Sequence, residues 1–574
     1  MFDRFKGNLQ KKLVEYQKQV SDANQKNINS ASSSKSSTLS VLIWSMTFAI
    51  LINYFFFNNS KNDNSTEHIT ENIQYVKYDK IKFVEKNNLL SGKLNKNGVT
   101  LDDIELLKYK DGYKNNLNIK TLSPVFSDKG EINDLYSFVK FGFKNAGTNK
   151  FYVDLPDDDT TWKMEPSKGS NYTFYWTNNL GFKFYRTFNF NNGYLFKVTD
   201  TIINNSKSDV ALIPYKIVQQ SINSADIDNS SLSGAIIITD EKIDEINYKA
   251  IENKNIVRIS TNNKSAIGFT NNYFANILVS EKPVDISIRY NKTLSKIIKK
   301  NDKTFNIKNF QIELSDINPI TIKQNEKYSY DFHIFSGAKQ IDLLTQYANQ
   351  LSMPRFNMLV DYGTFFFIAR PATALLRFLN KYFDSMSIAI ILFAIVMKII
   401  LLPLAMKQMK TTYKMQKMAP ELKRIQTYYA NNKIQQQMQI AMLYKKHGIN
   451  PFTLFTQLLI QIPIFLAMWR ALIVTIEMRH SKFLWINDLT SRDPIFVLPV
   501  LLGITMLLQM KLQNKGGVDD TNPGAKATKY MPYIMTVMFA FLPSGLILYY
   551  VVGNILGIIQ QEVAKYYWNK NKCN

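Results

Sequence analysis

The chain has 574 residues, 45% of them hydrophobic, and a formal net charge of +24 from 70 basic and 46 acidic side chains. Its mean hydropathy is only −0.18, so apolar segments sit beside a large polar domain, and the basic excess fits cytoplasmic loops of a membrane protein better than a nucleic-acid binder. Cys573 is the single cysteine, which excludes an intrachain disulfide and a multi-cysteine metal site; His68, His333, His447 and His480 form no zinc or protease motif.

Residues 1–38 are polar and basic. Phe2, Phe5, Leu9 and Leu13 recur near helical spacing beside lysines, which suits either an interfacial helix or a solvated tail. A serine-rich linker follows. Residues 39–57 are apolar and predict a first span. The stretch after them has no small-x-small cleavage site, so an uncleaved signal anchor with a cytoplasmic N-terminus is expected. Residues 58–350 read as an exported all-β domain. Apolar and polar residues alternate in Ser137–Phe143, Asn171–Trp176 and Gly181–Phe188, with a turn signal at Asn191-Asn192-Gly193. Many short strands of this kind predict a large antiparallel sandwich. Its aromatic stripe is expected to be core rather than a binding groove.

Residues 356–383 carry Asp361, Arg370, Pro371 and Arg377 among apolar residues, which suits a helix lying in the membrane surface. Residues 386–404 form the organising apolar span, long enough to approach the roughly 20 residues a bilayer needs. Lys398 stands in it between Met397 and Ile399. A charge at that depth costs about 2.5–3.5 kcal/mol. Lys398 either snorkels toward the helix end near Pro403 or faces a wet cavity where it meets something negative.

Residues 405–450 hold nine basic side chains against Glu421 and predict a cytoplasmic helical hairpin turning at Asn431-Asn432. Met406/Met409, Met415/Met418 and Met438/Met442 lie three or four residues apart, placed either to zip the hairpin or to make an adaptable contact surface. Four more spans are expected, at 452–476, 494–510, 530–542 and 546–560, followed by a basic cytoplasmic tail at 561–574. Six spans with both ends inside satisfy the charge rule throughout.

These residues resemble the YidC/Oxa insertase family, in the Gram-negative form with a large periplasmic domain. The resemblance covers about 356–568. It rests on Asp361-Tyr362-Gly363, Phe367–Pro371, Leu402-Pro403-Leu404, Leu443-Tyr444-Lys445, Asn450-Pro451, Leu458–Leu466, Leu484–Leu489 with Asp493-Pro494, Phe541–Leu546, Leu548-Tyr549-Tyr550 and Ile559-Gln560-Gln561. The order and spacing of these pieces carry the specificity. The exported region is similar more loosely, best at Val198–Thr201 through Asn204-Asn205, and the family's domain there is a β-supersandwich. The family usually has arginine where Lys398 stands, and its first span usually begins nearer the N-terminus.

The resemblance implies a membrane protein insertase with a hydrophilic groove open to cytoplasm and lipid. The groove residues would be Lys398, Gln457, Gln461, Pro463, Thr505, Gln509, Tyr549, Tyr550 and Asn554. Interhelical hydrogen bonding explains Thr505 and Gln509 as readily, and Gly553 with Gly557 reads as a helix-packing GxxxG. Nascent membrane proteins would be the substrate. A Sec-type translocon, membrane lipids, and a ribosome or targeting receptor at the hairpin and tail would be the partners. No cofactor or metal is implied, and no P-loop is present. A polytopic solute transporter is the alternative, but matching repeat halves are not visible. A Ser/Lys hydrolase fails on distance, because Ser387 and Lys398 are eleven residues apart on one helix, roughly 16 Å.

Overall fold

A computed structural model describes residues 80–570, apart from 113–116, 126–132, 134, 147–152, 168, 230–232, 301–302, 449–451 and 514–522. The expected first span and the basic segment before it lie outside the described residues, as does the end of the tail.

Two antiparallel sheets form the expected β domain, one of eleven strands and one of nine. In the first, strands Lys80–Val84, Leu90–Asn95, Leu101–Lys110, Ser137–Asn145, Val210–Asn223, Lys303–Asp316, Val284–Tyr290 and Ile256–Thr261 lie in that order. The second runs from Ile243–Asn247 through Gly234–Thr239, Ser265–Thr270, Phe274–Ser280, Lys327–Ala338, Leu195–Asn204, Phe182–Asn189 and Asn171–Thr177 to Lys163–Met164. Period-two alternation puts every second side chain between the sheets. Strand Phe182–Asn189 alternates in this way, with Phe182, Phe184 and Phe188 buried. The aromatic stripe is therefore core, and Phe188 and Phe190 stack with ring centroids 5.9 Å apart.

The same alternation puts a charge inside. Arg186 lies on the inner face of its strand, directly across the ladder from Asp200. Its Nε and Nη2 donate to the two Asp200 carboxylate oxygens at 2.8 Å each. Nη2 also donates to the Phe141 carbonyl on the opposite sheet at 3.0 Å. Asn204, four residues beyond Asp200 and fully buried, donates to the carbonyls of Ser208, Ile322 and Lys323. The stretch 198–205 thus supplies the carboxylate that pairs Arg186 within one sheet, while Arg186 itself reaches the other sheet through Phe141, and it supplies a side chain that stitches two turns.

Two short helices, α1 (Ser224–Asn229) and α2 (Tyr248–Lys254), decorate the sandwich. Helix α3 (Ile341–Gln350) closes it. A 3-10 turn at Pro354–Leu359 then leads to α4 (Phe366–Phe383), so the expected surface helix begins about ten residues later than the apolar pattern suggested. Helix α4 buries Ala369, Ala372, Thr373 and Leu376 and exposes Phe366, Phe367, Phe378 and Tyr382. Ala369, Ala372, Thr373 and Leu376 face the bundle and large aromatics face outward, an arrangement suited to an apolar surround.

The organising segment is shorter than its sequence implied. Helix α5 (Met386–Ile400) ends at Leu401, and α6 (Leu402–Tyr428) departs at 64°. Pro403 does not stop a helix; it sits in the first turn of α6, where its missing N–H costs nothing. Helix α7 (Lys433–Lys446) folds back on α6. Met418 and Leu443 are buried between them, with Met415 packed alongside, while Met438 and Met442 stay exposed. The methionine pairs therefore divide: one zips the hairpin and another leaves a free apolar surface.

The remaining helices are α8 (Phe452–Val474), α9 (Val497–Gln513), α10 (Pro523–Phe539) and α11 (Ser544–Lys570). Among the described residues, Ser544–Trp568 alone is long and apolar enough to cross a membrane unaided. Met386–Ile400 qualifies only together with the bent Leu402–Tyr428, and Gln461–Val474 and Val497–Leu512 are shorter apolar helices. The last two helices both reach further than expected at the ends away from Pro543. A second apolar core gathers α4, α5, α8, α9, α10 and α11 around Phe393, Met468, Leu472, Leu502 and Ile547.

Candidate functional site

The side chains of the expected groove form two neighbouring groups on α11. In the first, Lys398 reaches from the last turn of α5 across Gly553 and Gly557. A β-carbon built on Gly553 would lie 3.4 Å from Lys398 Cε, and one on Gly557 would lie 3.4 Å from Lys398 Nζ and 3.4 Å from Gln509 Nε2. The ammonium of α5 and the amide of α9 therefore meet over a bare stretch of α11. Among the described residues no acidic partner reaches Lys398. Between the two glycines, Asn554 Nδ2 donates to Thr505 Oγ1, one turn before Gln509 on α9, at 3.3 Å, and Thr505 donates to the Leu502 carbonyl at 2.8 Å.

Gln461 and the two tyrosines make the second group. Tyr549 lies against Phe393 and Tyr550, with centroids at 5.9 and 5.1 Å. Tyr550 packs on Phe465 at 5.7 Å and on Phe539 at 5.5 Å, joining α8, α10 and α11. Its hydroxyl is buried with no well-formed hydrogen bond, and the Gln461 side chain faces it. Pro463 lies two residues on, inside α8. It removes one helix hydrogen bond and frees a carbonyl in the turn below. Gln457 is on the same helix, but its side chain is outside the described ones. Interhelical hydrogen bonding accounts for Thr505 and Asn554, whereas among the described residues the buried Tyr550 hydroxyl has no well-formed hydrogen bond and Lys398 has no ion pair.

Sequence reasoning missed the part played by the glycines. The Gly553/Gly557 spacing signals close helix approach, and what approaches is the Lys398 side chain. Gly557→Ala should be tolerated, because a 3.4 Å contact is ordinary. Gly557→Leu should push the ammonium and Gln509 off the helix, and, for the insertase activity that the resemblance implies, handling of acidic-tailed substrates should fall to the level of Lys398→Ala. Equal activity of the Leu and Ala variants on such substrates would show that the glycines serve packing alone.

Also missed was the construction of the bundle end where α11 begins. Asp493 is fully buried and accepts from Trp485 Nε1 at 3.0 Å and from the Leu498 and Ile495 amides at 2.7 and 3.2 Å, capping α9. Ser544 N–H donates to the Ser491 carbonyl at 2.8 Å, and Gly545 N–H to the Leu489 carbonyl at 2.9 Å. A β-carbon on Gly545 would fall 2.6 Å from Met478 Cε. The loop between α8 and α9 thus covers the start of α11 and blocks that end of the bundle. The visible signals are Asp493-Pro494 and Phe541–Leu546, which in the sequence serve only as pieces of the family resemblance. Ser387, the rejected nucleophile, donates to the Lys482 carbonyl at 3.0 Å. No group of three or more potential metal ligands is found among the described residues.

Two family models match in tandem: the YidC periplasmic domain over residues 84–375, and the 60Kd inner membrane protein over 378–571. The membrane protein insertase YidC of Rickettsia bellii is 31% identical over 513 residues, covering 84% of this chain and 86% of its own. That of Rickettsia akari is 31% identical over 510 residues, again covering 84% and 86%. A crystal structure of an active YidC insertase with its first transmembrane domain resolved covers 90% of this chain and 97% of its own, at 15% identity and a TM-score of 0.35. Matched along both its exported and its membrane part, the chain belongs to the YidC family of inner-membrane protein insertases, in the form that carries a periplasmic domain.

Proposed function

We propose that this protein passes nascent membrane proteins into the inner membrane through a polar groove bounded by α5, α8, α9 and α11. The observation that carries the reading is Lys398: a cation among apolar helices, laid over bare glycines beside Gln509, with no acidic side chain paired to it among the described residues. In lipid such a group needs water or a counter-charge. A translocating tail with acidic residues supplies the counter-charge, and water in the groove shortens the lipid path that polar groups must cross. The apolar segment of the substrate then leaves along α8 and α11. Burial of that segment drives insertion, assisted by the membrane potential at about 2.3 kcal/mol per charge per 100 mV. No nucleotide is consumed.

The topology that serves this function has six spans, with both termini and the α6–α7 hairpin in the cytoplasm and the sandwich in the periplasm. Helix α4 lies along the outer membrane–water boundary. The hairpin, with Met438 and Met442 exposed beside Lys445 and Lys446, and the basic tail receive the ribosome or a targeting receptor. A Sec-type translocon is a further partner for substrates with long exported domains.

The test is reconstitution. Proteoliposomes of the pure protein should insert a small single-span substrate without ATP and without cleaving it, as read by protease protection of its tail. Protease added outside spheroplasts should digest the sandwich and spare the hairpin. An ATP requirement, or cleavage of the hairpin from outside, would overturn the reading.

A further inference from the structure

The junction between the sandwich and the membrane helices is built like a domain core with a charged rim. Val474 and Ile476, at the outer end of α8, are 4% and 3% exposed and belong to the same apolar cluster as Leu344 and Tyr347 of α3 and Phe356 and Leu359 of the connecting turn. That cluster continues without a break into the interior of the sandwich.

Three arginines from the membrane side surround this plug. Arg377 of α4 donates through Nη2 to Asp342 of α3, and its Nε lies 3.4 Å from Glu477, just past α8. Arg470 of α8 lies 3.3 Å from Asp361, and its side chain crosses Gly363, where a β-carbon would sit 2.9 Å from Arg470 Nε. Gly363 has φ +68°, so the close crossing and the left-handed backbone both demand glycine. Arg479 donates to the Asp111 carbonyl of the sandwich at 3.4 Å, and His480 Nε2 lies 3.2 Å from the Lys110 carbonyl. Behind the rim, Lys339 is buried beside Glu245, Asp361 and Arg470. Exposed ion pairs contribute little by themselves, and the Asp342 side chain is largely exposed. Arg377 matters as a node, since one guanidinium joins the end of the sandwich, the surface helix and the outer end of α8.

We propose that the sandwich and the outer ends of α4 and α8 form one rigid unit, and that this unit, locked at Arg377, holds α8 in place while a substrate passes. Arg377 is then a positioning residue for insertion, and the exported domain acts as an anchor for a groove helix. The proposal rests on the reading that α8 borders the groove.

The test uses full-length protein in which Cys573→Ser removes the native thiol. Asp342→Cys with Arg377→Cys breaks the node and offers two thiols to join. Reconstituted unjoined, this variant should insert a single-span substrate severalfold less than the parent. Joined by a short bis-maleimide, the same preparation should recover parental insertion. Adding Lys398→Ala to the joined variant should again depress insertion of acidic-tailed substrates, which separates loss of the anchor from loss of the groove charge. Parental insertion by the unjoined variant, or no recovery on joining, would overturn the proposal.

Discussion

Lys398→Glu should lower insertion of substrates with acidic translocated tails by well over tenfold, and Lys398→Ala by about tenfold. A carboxylate about 4 Å from the ammonium gains on the order of 4 kcal/mol at an effective dielectric of about 20. Water in the groove and partial screening reduce this, and each 1.4 kcal/mol retained is a factor of about ten. Alanine removes the attraction. Glutamate also repels the tail and sets an uncompensated anion beside Gln509. Lys398→Arg should work as well as lysine or better, because the guanidinium adds a planar fork for carboxylates, and Gly553 and Gly557 leave room for it. Neutral-tailed substrates should change less in all three variants. The measurement is protease protection of tail-charge variants in proteoliposomes of each mutant. If alanine matches lysine for every tail, insertion rests on the water and shape of the groove rather than its charge.

The second large effect is on the sandwich. Arg186→Ala should destabilise it by about 3–5 kcal/mol, the usual cost of removing one partner of a buried ion pair. Arg186 and Asp200 are 3% and 4% exposed, so the carboxylate left behind starts almost wholly out of solvent. The substitution also empties a slot lined by the Phe141 ring at 4.2 Å and the Trp162 ring at 5.3 Å. Arg186→Lys should recover little, since a point charge cannot replace the two parallel bonds to Asp200. Replacing both partners by apolar residues of similar volume should cost much less than Arg186→Ala, because the charge is then removed together with its counter-charge. Hydrogen exchange of strands Phe182–Asn189 and Leu195–Asn204 in the intact protein reads the effect. Exchange faster by about a hundredfold or more is expected for Arg186→Ala. An increase below tenfold would mean that the pair is held by the sandwich and does not hold it.

The sequence by itself determined the architecture in outline. Alternation is a local property that strands such as Phe182–Asn189 carry, so the sandwich and its aromatic core were legible at Phe182–Phe188. The apolar helices and the hairpin turn at Asn431-Asn432 were legible for the same reason. Lys398 stood out because a lone charge in an apolar run conflicts with its surroundings.

Tertiary structure alone decided what each exceptional residue touches. Arg186 sits at an inward position of an alternating strand, and only the register with Asp200 explains it. The break at Leu401 was hidden because Pro403 is as compatible with the first turn of a new helix as with the end of an old one. Gly553 and Gly557 announce a close approach without saying by what. Arg377, Arg470 and Arg479 look like ordinary flanking charges until the fold brings Asp342, Asp361 and the Asp111 carbonyl to them. Periodicity is written in neighbours along the chain, so it can be read there. The partner of a buried charge is chosen by contacts between residues tens or hundreds of positions apart, and those exist only once the sheets and helices have packed.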